Sequence, residues 1–301
     1  MPFITVDKEN SGNVDLYYED LGTGKPVVLI HGWPLSGASW EKQVKALLVS
    51  GHRVITYDRR GFGNSSRPSA GYDYDTFALD LYKLLIKLDL YNVALVGFSM
   101  GGGEVARYLG KYGSERVGKA VFISSVPPFL LKTTDNPEGL EGGVFAGIKS
   151  AVAADRPAFL SAFLADFYNF DLLGGKLVSD QVVRYNWNVG AGASAKATFD
   201  CVSAWETDFR KDLSRIEVPT LVIHGDADRV LPIAATGIRI QKAVKGARLV
   251  AVKDGPHGIT WTHAEKVNSE LIRFLGEPAQ ESGKTIVKKT AAPVHGETIV
   301  L

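Results

Sequence analysis

Cysteine is nearly missing from this chain, with one residue, Cys201, in 301. No disulfide can form within the chain, which fits a reducing, cytoplasmic setting. No activating motif surrounds Cys201, so it reads as a small buried hydrophobe rather than a nucleophile. An excess of either charge is missing too, since 34 Lys and Arg stand against 33 Asp and Glu. That balance gives no basic face, at whole-chain level, for nucleic acid or an anionic membrane. No apolar run reaches the roughly 18 residues of a membrane helix. The N-terminal stretch from Met1 to Glu9 meets charge too early for a signal-peptide core. No H-E-x-x-H or paired Cys/His spacing points to a metal, and no cofactor is expected. What remains is an ordinary apolar share of 45%, enough for a sizeable core.

That apolar content is arranged in a rhythm. Short runs at Val27–Ile30, Arg53–Tyr57, Val93–Val96, Ala120–Ile123, Thr220–Ile223 and Arg248–Val252 read as strands. They are continuous rather than alternating, which suits strands covered on both faces. Between them, Phe77, Leu81, Leu84, Leu85 and Leu88 recur at helical spacing, with Asp75 and Thr76 placed to cap the helix. Leu16–Glu19 reads as part of an initial hairpin. The succession predicts a doubly wound, mostly parallel α/β sheet, with its site at the strand C-terminal ends. The rhythm breaks after Ser125. From Pro127 to about Trp205, Pro- and Gly-rich punctuation and helical pieces such as Pro157–Phe170 predict a helical cap inserted over those ends. Some of its many aromatic residues would then wall an apolar pocket. After Gly276 the composition turns polar. Residues 277–301 read as a spacer followed by two β-prone triplets, Thr285–Val287 and Thr298–Val300. These triplets suit a small hairpin, an added sheet-edge strand or a mobile extension.

Chemistry concentrates at Gly97-Phe98-Ser99-Met100-Gly101, between a strand and the helical run Gly102–Leu109. A G-x-S-x-G in that setting is a nucleophile elbow, a turn so sharp that flanking side chains would collide. It makes Ser99 the candidate nucleophile. A serine hydroxyl needs a base, and the base needs an orienting acid. Of the six histidines, His257 has the best context, in a loop just past the last predicted strand. His31 and His224 each end a strand before a glycine and read as shaping groups. The acid lies after strand Thr220–Ile223, where both Asp226 and Asp228 qualify. An oxyanion needs donors, one of them the backbone N–H after the nucleophile, on Met100. In the loop His31-Gly32-Trp33-Pro34, Pro34 has no N–H, which leaves Trp33 as the second donor.

With these residues assembled, the chain resembles the cofactor-free haloperoxidase and aryl-esterase branch of the α/β-hydrolases. These are the bacterial non-haem chloroperoxidases and bromoperoxidases. The likeness runs from about Pro2 to Leu275. It rests on His31–Leu35, Tyr57–Gly63, Gly71–Phe77, Gly97–Arg107, Glu206–Arg210 and Pro256–Gly258. The resemblance implies an α/β-hydrolase fold and a triad of Ser99, Asp228 and His257, with oxyanion donors on Trp33 and Met100. It settles the acid on Asp228 and leaves Asp226 to serve the turn through its own backbone. It further implies hydrolysis of small aryl esters, with hydrogen peroxide able to replace water and yield a peracid. A homo-oligomer, a trimer, is implied by the resemblance alone. Amide or lactam hydrolysis by the same triad is the neighbouring alternative. A ligand-binding sensor with little turnover is the alternative of another class.

Overall fold

The β-branched runs become strands because both faces of each are covered. In the computed structural model, which describes residues 2–277, eight strands form one sheet. They are β1 (Phe3–Glu9), β2 (Gly12–Leu21), β3 (Pro26–Ile30), β4 (Arg53–Tyr57), β5 (Val93–Phe98), β6 (Val117–Ile123), β7 (Thr220–Gly225) and β8 (Arg248–Val252). Their order across the sheet is β1-β2-β4-β3-β5-β6-β7-β8. The β1–β2 hairpin and the β2–β4 pair are antiparallel, and every other pair is parallel.

Parallel neighbours need crossovers, which the helices supply. These are α1 (Glu41–Val49), α2 (Tyr74–Lys87) and α3 (Met100–Tyr112). Between β6 and β7 stand α4 (Gly142–Phe167), α5 (Phe170–Leu173), α6 (Asp180–Ala191), α7 (Ala195–Ala204) and α8 (Arg210–Leu213). The last are α9 (Gly237–Ala243), α10 (Ile259–Thr262) and α11 (Ala264–Gly276). Alternate strand residues sort to opposite sides. Val28, Ile30 and Leu95 join the core with Phe77, Leu81 and Val105 of α2 and α3. Val27, Leu29 and Val96 join the core with Leu47, Leu271 and Phe274 of α1 and α11. No described helix is long and apolar enough to cross a membrane.

Two helix starts differ from the sequence expectation. The cap of α2 is Asp73, whose side chain accepts the Thr76 N–H at 2.9 Å. Asp75 falls instead in the first turn, where its carboxylate pairs with Arg107 at 2.9 Å. The helical piece expected from Pro157 begins at Gly142. It runs through a break at Asp155 (φ −154°, ψ 85°), and its last residue is Phe167. The Asp155 carboxylate accepts the Ala158 N–H at 3.0 Å, capping the second half. Pro157 thus occupies a helix start, where a missing N–H costs nothing.

The core also holds an ion pair. Arg59, after β4, donates from Nε to Glu104 of α3 at 2.8 Å, and Tyr57 donates its hydroxyl to the other Glu104 oxygen. Both charges are buried. Burial pushes the Glu104 carboxyl up, against the opposing pull of Arg59 and the Tyr57 hydrogen bond. Arg59→Met leaves that carboxylate without its cation. We expect a loss of about 3–5 kcal/mol, roughly a 10 °C fall in melting temperature, narrowing as pH falls and Glu104 takes a proton. Thermal melts of Arg59→Met across pH check this; an unchanged melting temperature contradicts it.

At the opposite end from the β5–α3 turn, Lys119 near the start of β6 gathers the end of α11. Its Nζ donates to the carbonyls of Phe274 (2.6 Å), Leu275 (3.0 Å) and Glu277 (2.6 Å). The spacer from Pro278 onward and the triplets Thr285–Val287 and Thr298–Val300 lie outside the described residues.

Candidate active site

The turn from β5 into α3 is tight because its neighbours leave no room. A Cβ on Gly97 would strike the Gly101 backbone, and one on Gly101 would strike the Ile30 carbonyl. Ser99 itself sits at φ 53°, ψ −118°. Such a conformation costs a non-glycine residue on the order of 1–3 kcal/mol and persists only where its surroundings impose it.

Two loops at strand ends meet this serine. His257, beyond β8, places Nε2 2.9 Å from Ser99 Oγ. Its Nδ1 lies 2.8 Å from Asp228 Oδ2, in the loop after β7. All three residues are buried. Asp228 Oδ1 accepts the N–H groups of Val230 (2.9 Å) and Leu231 (2.7 Å). Burial opposes a charge on Asp228, but His257 and His224 outweigh it and hold the carboxyl well below the usual range. With Nδ1–H donated to that carboxylate, Nε2 is free to accept the Ser99 proton. Asp226 does not meet the histidine. Nor does it bond its own turn, because its Oδ1 accepts the Asp254 N–H at 2.7 Å, tying the acid loop to the histidine loop.

Comparison with known proteins adds the family. A model described as alpha/beta hydrolase fold matches residues 25–264. The chain belongs to the α/β hydrolase family. Among relatives of this α/β hydrolase is a candidate non-heme chloroperoxidase of Synechocystis sp., 62% identical over 91% of this chain and 100% of that one. A bifunctional esterase/perhydrolase of Acinetobacter calcoaceticus is 40% identical over 87% of this chain and 96% of its own. Among solved structures, the bromoperoxidase of Bacillus anthracis shares 50% identity with a TM-score of 0.87, covering 92% of this chain and 99% of that one. The non-haem haloperoxidase and esterase branch inferred from the motifs is the branch these relatives occupy.

In this α/β hydrolase the loop after β3 lies against the serine. A Cβ on Gly32 would come within 2.9 Å of Ser99 Cβ. The loop is anchored from below. Arg59 donates its backbone N–H to His31 Nε2 (3.0 Å) and its guanidinium to the His31 carbonyl (3.0 Å). His31 Nδ1 therefore carries the ring proton and donates it to the Gly32 carbonyl at 2.8 Å. Burial, reinforced by Arg59, pushes His31 well below the ordinary histidine range and keeps it neutral. From above, the Trp33 indole donates to the Thr198 carbonyl of α7 at 3.2 Å. Met100 opens α3, so its N–H has no acceptor within the helix. Met100 follows Ser99 in the chain, and Trp33 lines the same cavity as Ser99.

Above them is a cavity of about 300 Å³, opening on Ser99. Of the aromatic residues expected to roof a pocket, Phe145, Phe159, Phe163 and Trp205 line it. Trp33 meets Phe163 and Trp205 edge to face, with ring centroids 5.1 and 5.0 Å apart. Leu130 also lines the cavity, and Arg210 holds the segment just beyond it, donating to Asp135 Oδ2 at 2.8 Å.

Several contributors left no trace in the sequence. The end of α4 holds both loops: the Phe167 carbonyl accepts the Gly258 N–H at 2.8 Å, and Asn169 Nδ2 donates to the Ala227 carbonyl at 2.8 Å. Contacts between residues this far apart in the chain carry no local signal. The other histidines stand elsewhere. His52 meets Ser50 (2.9 Å), His263 meets Thr262 (2.9 Å), and His295 lies outside the described residues. Cys201 is buried in α7, and burial pushes its thiol up. Among the described residues no cluster of three or more His, Cys, Asp or Glu is arranged to hold a metal ion.

Proposed function

We propose that the protein is a serine esterase of small, largely apolar aryl and short-chain carboxylic esters. The observation that carries this reading is the continuous chain Asp228–His257–Ser99, ending at the floor of an apolar cavity. His257 takes the Ser99 proton as Oγ attacks the ester carbonyl. The N–H groups of Trp33 and Met100 receive the oxyanion. His257 then gives the proton to the departing alcohol, leaving an acyl-enzyme. Water, deprotonated by His257, releases the acid and restores Ser99. Asp228 keeps the imidazole in the working tautomer throughout.

Hydrogen peroxide enters the same acyl-enzyme in place of water. Attack by its oxygen breaks the Ser99 ester and yields a peracid, which oxidises halide to hypohalite in solution. The esterase/perhydrolase among the relatives supports this second outlet. Rigid rings around the cavity favour burial of short or aromatic groups over long flexible tails.

The test is steady-state turnover of p-nitrophenyl esters of increasing acyl length, with and without peroxide and bromide. We expect continuous turnover, best for short acyl groups, and dye bromination only when peroxide, bromide and an acyl donor, the ester or a carboxylic acid, are supplied together. A single burst without turnover would point instead to a ligand-binding protein. Bromination that survives Ser99→Ala would remove the peracid route.

A further inference from the structure

Asp228 serves two imidazoles, and the reaction as written uses one. The second belongs to His224, at the end of β7. Its Nε2 lies 3.2 Å from Asp228 Oδ2 and 2.8 Å from the Leu231 carbonyl. A carbonyl can only accept, so Nε2 carries the proton and the tautomer is fixed. That single N–H stands between the Leu231 carbonyl and the acid. His224 Nδ1 has no partner among the described residues, and the side chain is fully buried. A buried ring with one nitrogen unpartnered is costly. The other nitrogen donates to the carbonyl of Leu231, whose own N–H grips the acid, and it stands 3.2 Å from the acid oxygen that faces His257.

We infer that His224 is a positioning residue for Asp228: its Nε2–H fixes the carboxylate toward His257 and draws off part of its charge. This rests on the esterase reading given above. The remaining ionisable groups around the pair are few. Ser99 faces His257 from the elbow. Arg229 turns outward to Asp171 of α5 at 2.8 Å, and Asp166 at the end of α4 lies by the same cavity mouth. Asp226 is occupied with the Asp254 backbone. Phe98 and Phe167, which meet the His257 ring at 5.2 and 5.0 Å, carry no charge.

The sign of the effect follows from charge. Without the His224 donor, the full carboxylate charge faces His257 and holds its imidazolium form more tightly. The base is then freed only at higher pH. In His224→Phe the acid limb of the kcat/KM profile should move up by about one pH unit, the scale of one hydrogen bond to a charged group. His224→Gln presents an amide N–H near the Nε2 position and should restore the wild-type limb. His224→Asn is too short to do so and should behave like Phe; it replaces the Phe variant if that one does not fold. Profiles are read with p-nitrophenyl acetate, on active sites counted with a fluorophosphonate. A limb unmoved in a folded Phe or Asn variant overturns the inference, as does an equal shift in the Gln variant. Failure of the wild type to label at Ser99 would instead overturn the esterase reading beneath it.

Discussion

Ser99→Ala is expected to hydrolyse p-nitrophenyl acetate about a million-fold more slowly than the wild type, with the fold intact. In the proposed reaction this residue makes the bond that replaces the ester linkage, and among the described residues lining the cavity no other nucleophile stands beside a base. What would survive is the contribution of substrate binding and of the proposed Trp33 and Met100 donors. A fluorophosphonate should label the wild type on Ser99 alone and leave the variant unlabelled. Ser99→Gly should be equally inactive yet melt above Ser99→Ala. Glycine relaxes the φ 53° backbone, offsetting its own roughly 1 kcal/mol entropic disadvantage. That ordering separates loss of chemistry from loss of structure. Near-normal turnover by purified Ser99→Ala would remove the nucleophile assignment.

The second large effect belongs to the acid. Asp228→Asn is expected to lower kcat about ten-thousand-fold, roughly 5.5 kcal/mol, with KM little changed. An amide can present its NH₂ to His257 Nδ1, which then must accept. The ring proton moves to Nε2, where it faces Ser99 and blocks deprotonation. The shape is preserved and the tautomer is wrong. Asp226→Asn retains the oxygen that receives the Asp254 N–H and should change kcat only a few-fold. The reverse ranking of the two variants would assign the acid to Asp226.

Much of the sheet was legible because its strands are covered on both sides. Val27–Ile30 and Val93–Val96 have no polar residue to interrupt them, and each residue found a core on one side or the other. The elbow was legible because steric exclusion around Ser99 leaves a local mark, a glycine two positions away on each side. The choice between Asp226 and Asp228 was not legible locally. Both follow β7, and only the approach of the β8 loop separates them. The first half of α4 was hidden by Gly142, Gly143 and Gly147, which weaken a helix by up to about 1 kcal/mol each and argue against one. The Pro157 signal was real, but it marked a second start after the Asp155 break rather than the first. The pairing of Arg59 with Glu104 and of His224 with Asp228 had no signature, because an isolated charge or ring declares nothing about its partner.

The hold of Lys119 on the end of α11 has a practical bearing. In a parallel sheet the two strand ends face opposite ways, and the mouth above Ser99 lies at one of them. The chain passes Glu277 at the other, fixed there by three carbonyl contacts to one ammonium. A resin, a reporter domain or an electrode surface joined at Glu277, in a chain shortened to end there, would be attached at the rear of the molecule. Its catalytic opening would then face the surrounding liquid.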